Sequence, residues 1–181
     1  MDNKRLIEKC SKGNHKAQKT FFHQYIDILY ATINRYIKDS STTDDILFQG
    51  MMKIFSELEN FNYINEKALI GWLKKIVINE ALMFLRSDFR TLYKVEEISE
   101  VNTNNLKTDL QVDESYLTEI INHLPDGYRT VFLLHVVDGY SHKEIAAQLE
   151  IAEGTSRSQF FKARKMLQQF LKQDYGKEFG T

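Results

Sequence analysis

The stretch SHKEIAAQLEIAEGTSRSQFFKARKMLQQFLK, residues 141–172, holds a short helical segment, a tight turn and a long helix with two opposed faces. At about 100° per residue, Phe160, Ala163, Leu167, Phe170 and Leu171 share one stripe. Arg157, Phe161, Arg164, Lys165, Gln168 and Lys172 fall roughly opposite. Arg157, Lys162, Arg164, Lys165 and Lys172 are basic, and residues 155–172 contain no acid. One face is suited to burial and the other to phosphates and base edges; a merely solvated basic face is the competing reading. In the shorter helix, Ser141 and Glu144 form a capping box, each satisfying an amide of the other. Ile145, Ala146 and Leu149 give it an apolar edge, and Ala146 and Ala147 are small enough for a second helix to cross closely. Upstream, LPDGYRTVFLLHVVDGY predicts a helix from after Pro125 to near Gly139. Its Val131, Phe132, Leu134, His135 and Val136 are expected to form the floor, with His135 a packed or edge residue rather than a metal ligand. The unit has the form of a helix-turn-helix that enters duplex DNA.

Composition suits this reading. The chain has 181 residues, 43% of them hydrophobic, with one proline and eight glycines, which favours helices over a many-turned β architecture. A single cysteine, Cys10, excludes an internal disulfide and points to a reducing compartment. The N-terminal residues lack an apolar signal core and no apolar run approaches membrane-spanning length, so a cytoplasmic protein without membrane insertion is expected. The net charge of −1 conceals an asymmetry. Residues 95–119 carry seven acids against the single base Lys107, and both flanks are net basic. The first half of that segment lacks helical periodicity and reads as a linker.

The N-terminal part is also helical in pattern. Leu6, Ile7 and Cys10 mark a short helix, and Ala17, Phe21, Tyr25, Ile28, Leu29, Ile33, Tyr36 and Ile37 mark a long one. Residues 39–43 are expected to break it. Thr43, Asp44 and Asp45 then open a third helix, where the dipole favours acids; a plain helix start explains this pair as well as a binding role does. A polar loop follows, and a fourth helix is expected from Lys67 to Arg86, with Trp72 in the core. Its Lys74, Lys75, Asn79 and Arg86 are polar or basic, followed by Arg90 and Lys94. Asn79 has no local role inside a good helix, so it faces solvent or contacts something.

In order and spacing, three motifs resemble the sigma-70 family in its small extracytoplasmic-function (ECF) branch. TDDILFQGMMKIF (43–55) is similar to the core-polymerase-binding helix, GWLKKIVINEALMFLR (71–86) to the promoter-melting segment, and 141–167 to the second DNA-binding domain. The resemblance implies an all-α protein of two helical domains. These are a region 2 bundle over 1–92 and a region 4 helix-turn-helix over 113–176, joined by an acidic linker over 93–112. It further implies that Asp44, Asp45, Gln49 and Lys53 dock on core RNA polymerase, mainly its β′ subunit. Asn62, Tyr63, Lys75, Asn79 and Arg86 are then expected at the minus-ten element, the loop 62–67 capturing a flipped base with Phe61 and Tyr63 available to stack. Thr155, Arg157, Ser158, Phe161, Lys162, Arg164 and Lys165 are expected at the minus-thirty-five element of promoter DNA. An anti-sigma factor is the implied inhibitor. No catalytic residue, metal site or cofactor is implied.

This chain departs from the family pattern at several places. Phe48 and Met51 stand where a glutamine and an aromatic are usual. Glu150 replaces the glycine of the turn, Ala152 a capping serine, and Ser156 a buried valine. The C-terminal domain is therefore expected to be the less stable one. Two other readings use the same residues: a free-standing factor that binds operator DNA as a dimer, and a polymerase competitor without DNA contacts.

Overall fold

A computed structural model describes residues 3–92 and 114–178. Among these residues the secondary structure is helical throughout, and the chain divides into two compact units, Met1–Phe84 and Leu85–Thr181. The division falls inside the fourth helix, not after it. The linker expected over 93–112, with Lys94 and the acids there, lies outside the described residues.

In the first unit, α1 (Asn3–Ser11) buries Leu6, Ile7 and Cys10. Gly13, at φ +74°, turns the chain into α2 (His15–Asn34). Asn14 caps α2, its Oδ1 accepting from the Ala17 amide at 3.0 Å. Ala17, Phe21, Tyr25, Leu29 and Ile33 recur at four-residue steps and are all buried. Burial pushes the Tyr25 hydroxyl up to about 12 and the Cys10 thiol up to about 11.

Helix α3 runs Ser40–Glu57, earlier than the expected opening at Thr43. The polar run is a helix start rather than a breaker, because Asp39 caps it. Asp39 Oδ2 accepts from both the amide and the hydroxyl of Thr42, each at 2.7 Å, and these bonds hold its carboxyl below the ordinary value. Asp44 and Asp45 therefore sit in the second turn. Thr43, Ile46, Leu47, Gly50, Met51 and Ile54 face inward. After a single 3-10 turn (Leu58–Asn60), Asn65 caps α4 through the Ala68 amide at 2.8 Å. Helix α4 spans Glu66–Leu92, beyond both expected ends. Trp72 is half-buried, not core: its ring stacks on Phe61 at 4.5 Å and leaves the interior to Leu69, Leu73, Val77 and Leu82.

The second unit contains α5 (Glu114–Asn122), α6 (Asp126–Phe132), a wider π turn (Leu133–Val137), α7 (His142–Leu149) and α8 (Glu153–Glu178). Ile120, Leu124, Ala163 and Leu167 form its core, with Tyr128, Phe132, Phe170 and Leu171 packed against them. Leu133 and Leu134 point inward from the π turn, whereas Val136, expected in the floor, is 55% exposed. The extra residue of the π turn explains this, since it rotates the later residues off the α-helical stripe.

The capping box of α7 is present, with Glu144 Oε2 accepting from the Ser141 amide at 2.8 Å. Glu150 closes the turn in the left-handed region, at φ 55° and ψ 43°, where glycine carries no steric penalty. At the start of α8 the Ala152 carbonyl accepts from the Ser156 amide, but its methyl group offers no acceptor to the first-turn amides. Ala152→Ser is expected to stabilise the second unit by about 1 kcal/mol. Urea unfolding followed on α7 and α8 amide signals checks this; an unchanged midpoint means those amides are already satisfied.

Candidate nucleic-acid interface

Helix α8 presents Arg157, Phe161, Lys165 and Lys172 to solvent, with Lys162 and Arg164 half-buried beside them. The Arg157 guanidinium is ion-paired to Glu153 one turn earlier. Arg164 lies over the ring of Phe160 at 5.7 Å, close enough for a cation–π contact. Two of the expected DNA contacts do not face solvent. Thr155 and Ser158 are buried, at 4% and 3% exposure, together with Ser156 and Gln159. The inner stripe of α8 therefore begins with polar residues, Thr155, Ser156 and Gln159, before continuing as Ala163 and Leu167. Periodicity of apolar residues could not find a stripe whose first turns are polar. Gln159 buries both ends of its amide without a hydrogen bond, as Thr130 on α6 does its hydroxyl. Phe160, expected on the apolar stripe, is only half-buried and packs on Phe132 and His135.

In the first unit, α3 exposes Asp44, Asp45 and Gln49. Lys53 is engaged with Glu80 of α4 at 3.0 Å. Phe48 and Met52, at 69% and 59% exposure, lie on the same face as Asp45 and Gln49 by their spacing of three and four residues. Phe48 stands out in the sequence as a departure from the family pattern, but neither residue is expected there to belong to the binding surface. Met51, by contrast, is buried.

The loop 61–65 and α4 carry the remaining candidates. Asn62 is exposed, Tyr63 half-buried, and Ile64, which no sequence pattern singles out, is 73% exposed. Phe61 is already stacked on Trp72, so in this arrangement its ring is occupied. Lys75 is exposed one turn before Asn79. Asn79 is half-buried, and its Oδ1 is shielded from water without accepting a hydrogen bond. Such an acceptor is costly to leave unpaired. Arg86 belongs to the second unit, where Nε donates to the Gln148 carbonyl at 2.7 Å and Nη1 pairs with Glu150 at 3.2 Å. Its guanidinium satisfies the end of α7.

The sigma-70 region 2 family model matches residues 21–91, and the sigma-70 region 4 model matches residues 114–167. The ECF RNA polymerase sigma-E factor of Haemophilus influenzae is 26% identical over 176 residues, covering 90% of this chain and 92% of that protein. The factor of the same description from Escherichia coli is 26% identical over 178 residues, covering 90% of each. Among solved structures, the sigma factor RpoE in complex with the anti-sigma factor NepR from Bartonella quintana is 22% identical. It covers 85% of this chain and 96% of that one, with a TM-score of 0.48.

Proposed function

This chain belongs to the sigma-70 family of RNA polymerase sigma factors, in its ECF branch, and on that basis we propose how its surfaces divide the work. Residues 1–92 act as the polymerase- and minus-ten-binding domain, 93–112 as the linker, and 113–176 as the minus-thirty-five domain. Core polymerase docks on the exposed face of α3, through Asp44, Asp45 and Gln49, with Phe48 and Met52 adding apolar anchors. Lys53 joins them only by leaving Glu80. Asn62, Tyr63, Lys75 and Asn79 hold the non-template strand of the melted minus-ten element. Asn79 takes part by turning its buried, unpaired Oδ1 outward, where a base edge supplies the donor it lacks. Arg86 would reach that strand only by releasing Gln148 and Glu150. The protein works without catalysis of its own, in the cytoplasm, and an anti-sigma factor holds it inactive by covering the same surfaces.

The observation that carries the DNA reading is the outer face of α8. There Arg157, Phe161 and Lys165 stand exposed in a span without acids, with Lys162 and Arg164 beside them. Thr155 and Ser158 are left to position the helix. The Arg157–Glu153 pair opens when a base edge or phosphate takes the guanidinium.

The test is co-elution of the full chain with sigma-free core polymerase, followed by promoter binding of the holoenzyme. Stoichiometric co-elution, lost on Asp45→Lys, is the expected result. Arg157→Ala is expected to leave co-elution intact and to cost about 1–3 kcal/mol of discrimination at one minus-thirty-five position. Equal loss on every sequence would mean that Arg157 holds only phosphate. Absence of co-elution at low salt, with binding to palindromic duplex as a dimer, would favour a free-standing operator-binding factor instead.

A further inference from the structure

Three segments of the second unit meet behind the first turns of α8. The imidazoles of His135, on the π turn, and His142, at the start of α7, stack with centroids 4.4 Å apart and planes at 20°. Phe160 of α8 stands edge-on to His135 at 4.7 Å and tilted to His142 at 5.5 Å. His135 Nδ1 lies 2.8 Å from the Tyr140 carbonyl oxygen. A carbonyl only accepts, so His135 carries a proton on Nδ1. His142 Nδ1 lies 2.9 Å from the hydroxyl of Ser156, which is fully buried on the inner stripe of α8. The pair thus joins the π turn and α7 to the helix that bears Arg157. The α8 side chains in these contacts, Ser156 and Phe160, are not among its exposed residues.

A proton added to His142 arrives in an unfavourable place. The ring is partly desolvated, the His135 ring covers one face, and Arg157 adds a like charge; Glu153 acts the other way. Glu153 and Arg157 are paired with each other, so their opposite effects on His142 largely offset. Asp138 and Glu144 lie close enough to act on Tyr140, and Arg164 sits over the shared Phe160 ring. Burial is the largest of these effects on His142, and the balance holds its titration below the ordinary value of 6.5.

We propose that the His135–His142 stack positions α8 only while His142 is uncharged, so that mild acidification loosens the second unit and weakens its hold on duplex DNA. The sign is set by linkage. The unfolded chain takes up the proton first as pH falls. The stabilisation is therefore complete above 6.5 and is lost as pH drops from there through the lower folded value. The DNA arm rests on α8 being the DNA-reading helix; the stability arm does not. The predicted direction also opposes plain electrostatics, because a histidine that gains charge near phosphates would tighten binding.

The test uses the full chain, with imidazole resonances, amide protection in α7 and α8, and duplex affinity all measured between about pH 8 and pH 5. His142→Phe keeps a ring against His135 and Phe160 but cannot titrate. His142→Gln, which keeps a polar group toward Ser156, is the second variant. One imidazole signal, absent from both variants, is expected to titrate below 6.5. Over the same range, protection corrected for intrinsic exchange and duplex affinity are expected to fall in the parent chain and to stay level in the variants. A His142 signal at or above the ordinary value, or the same fall in protection in the variants, would overturn the proposal. If protection follows the expected profile but the chain binds no duplex at any pH, the positioning role stands and the DNA reading of α8 fails.

Discussion

Arg129→Ala is expected to destabilise the second unit by about 3 kcal/mol, a large share of what a small domain has to lose. Arg129 sits on α6 with its side chain 1% exposed, and is among the largest fully buried side chains of the described residues. Its Nη1 pairs with Asp126 Oδ1 at 2.8 Å and reaches the Leu124 carbonyl at 3.4 Å. Asp126 itself is largely in solvent, so it rehydrates when the arginine is removed. The cost therefore lies in the cavity under α6 and in the Leu124 carbonyl left without this donor. Arg129→Met fills most of that volume without a charge. Exchanging a buried ion for an apolar side chain of similar size is often close to neutral, so methionine should cost less than about 1.5 kcal/mol. Urea unfolding followed on α6–α8 amide signals separates the two variants. Equal losses would mean that the charge, not the volume, carries the stability.

Gly50→Val is expected to cost the first unit about 3 kcal/mol, at the upper end of overpacking effects. A Cβ at Gly50 would stand 2.8 Å from Val77 Cγ1, inside any normal contact, with the Val77 Cβ and Cα next at 3.6 and 3.7 Å. Val77 is fully buried and β-branched, with one strongly preferred rotamer in a helix, so its methyl cannot swing aside. Better helix propensity than glycine recovers well under 1 kcal/mol. Val77→Ala in the same chain should restore more than half of the loss, which a double-mutant cycle would record as strong coupling. Fluorescence of Trp72, the only tryptophan, follows unfolding of this unit. The variant also probes function, because α3 carries the exposed Asp45, Phe48, Gln49 and Met52 on its other side. Polymerase affinity should fall with no change to that surface. Purely additive single losses would show that α3 and α4 part without strain at this point.

Where local chemistry is strong, sequence and structure agree. The all-helical class follows from three- and four-residue spacing and the scarcity of proline and glycine, and the capping box at Ser141 and Glu144 lies where its side chains dictate. Family membership was carried by three motifs in order, each readable one residue at a time. The differences also share causes. Asp39 starts α3 earlier than expected because an acid followed by serines and threonines suits a cap as well as a break. Trp72 left the core because Phe61, from a neighbouring loop, met its ring. Thr155 and Ser158 were expected at the interface by family resemblance, whereas their burial depends on what α8 packs against.

Residue types alone therefore determined the helices and the basic span without acids on α8. Each depends on a residue and its neighbours within about one helical turn. It took tertiary packing to settle that α8 buries a polar stripe, that the π turn exposes Val136, and that Gly50 is required by Val77. Packing also brought His135 and His142 face to face behind α8. These depend on which surface of one helix meets another, and contacts between residues distant in sequence leave no period for a single helix to display.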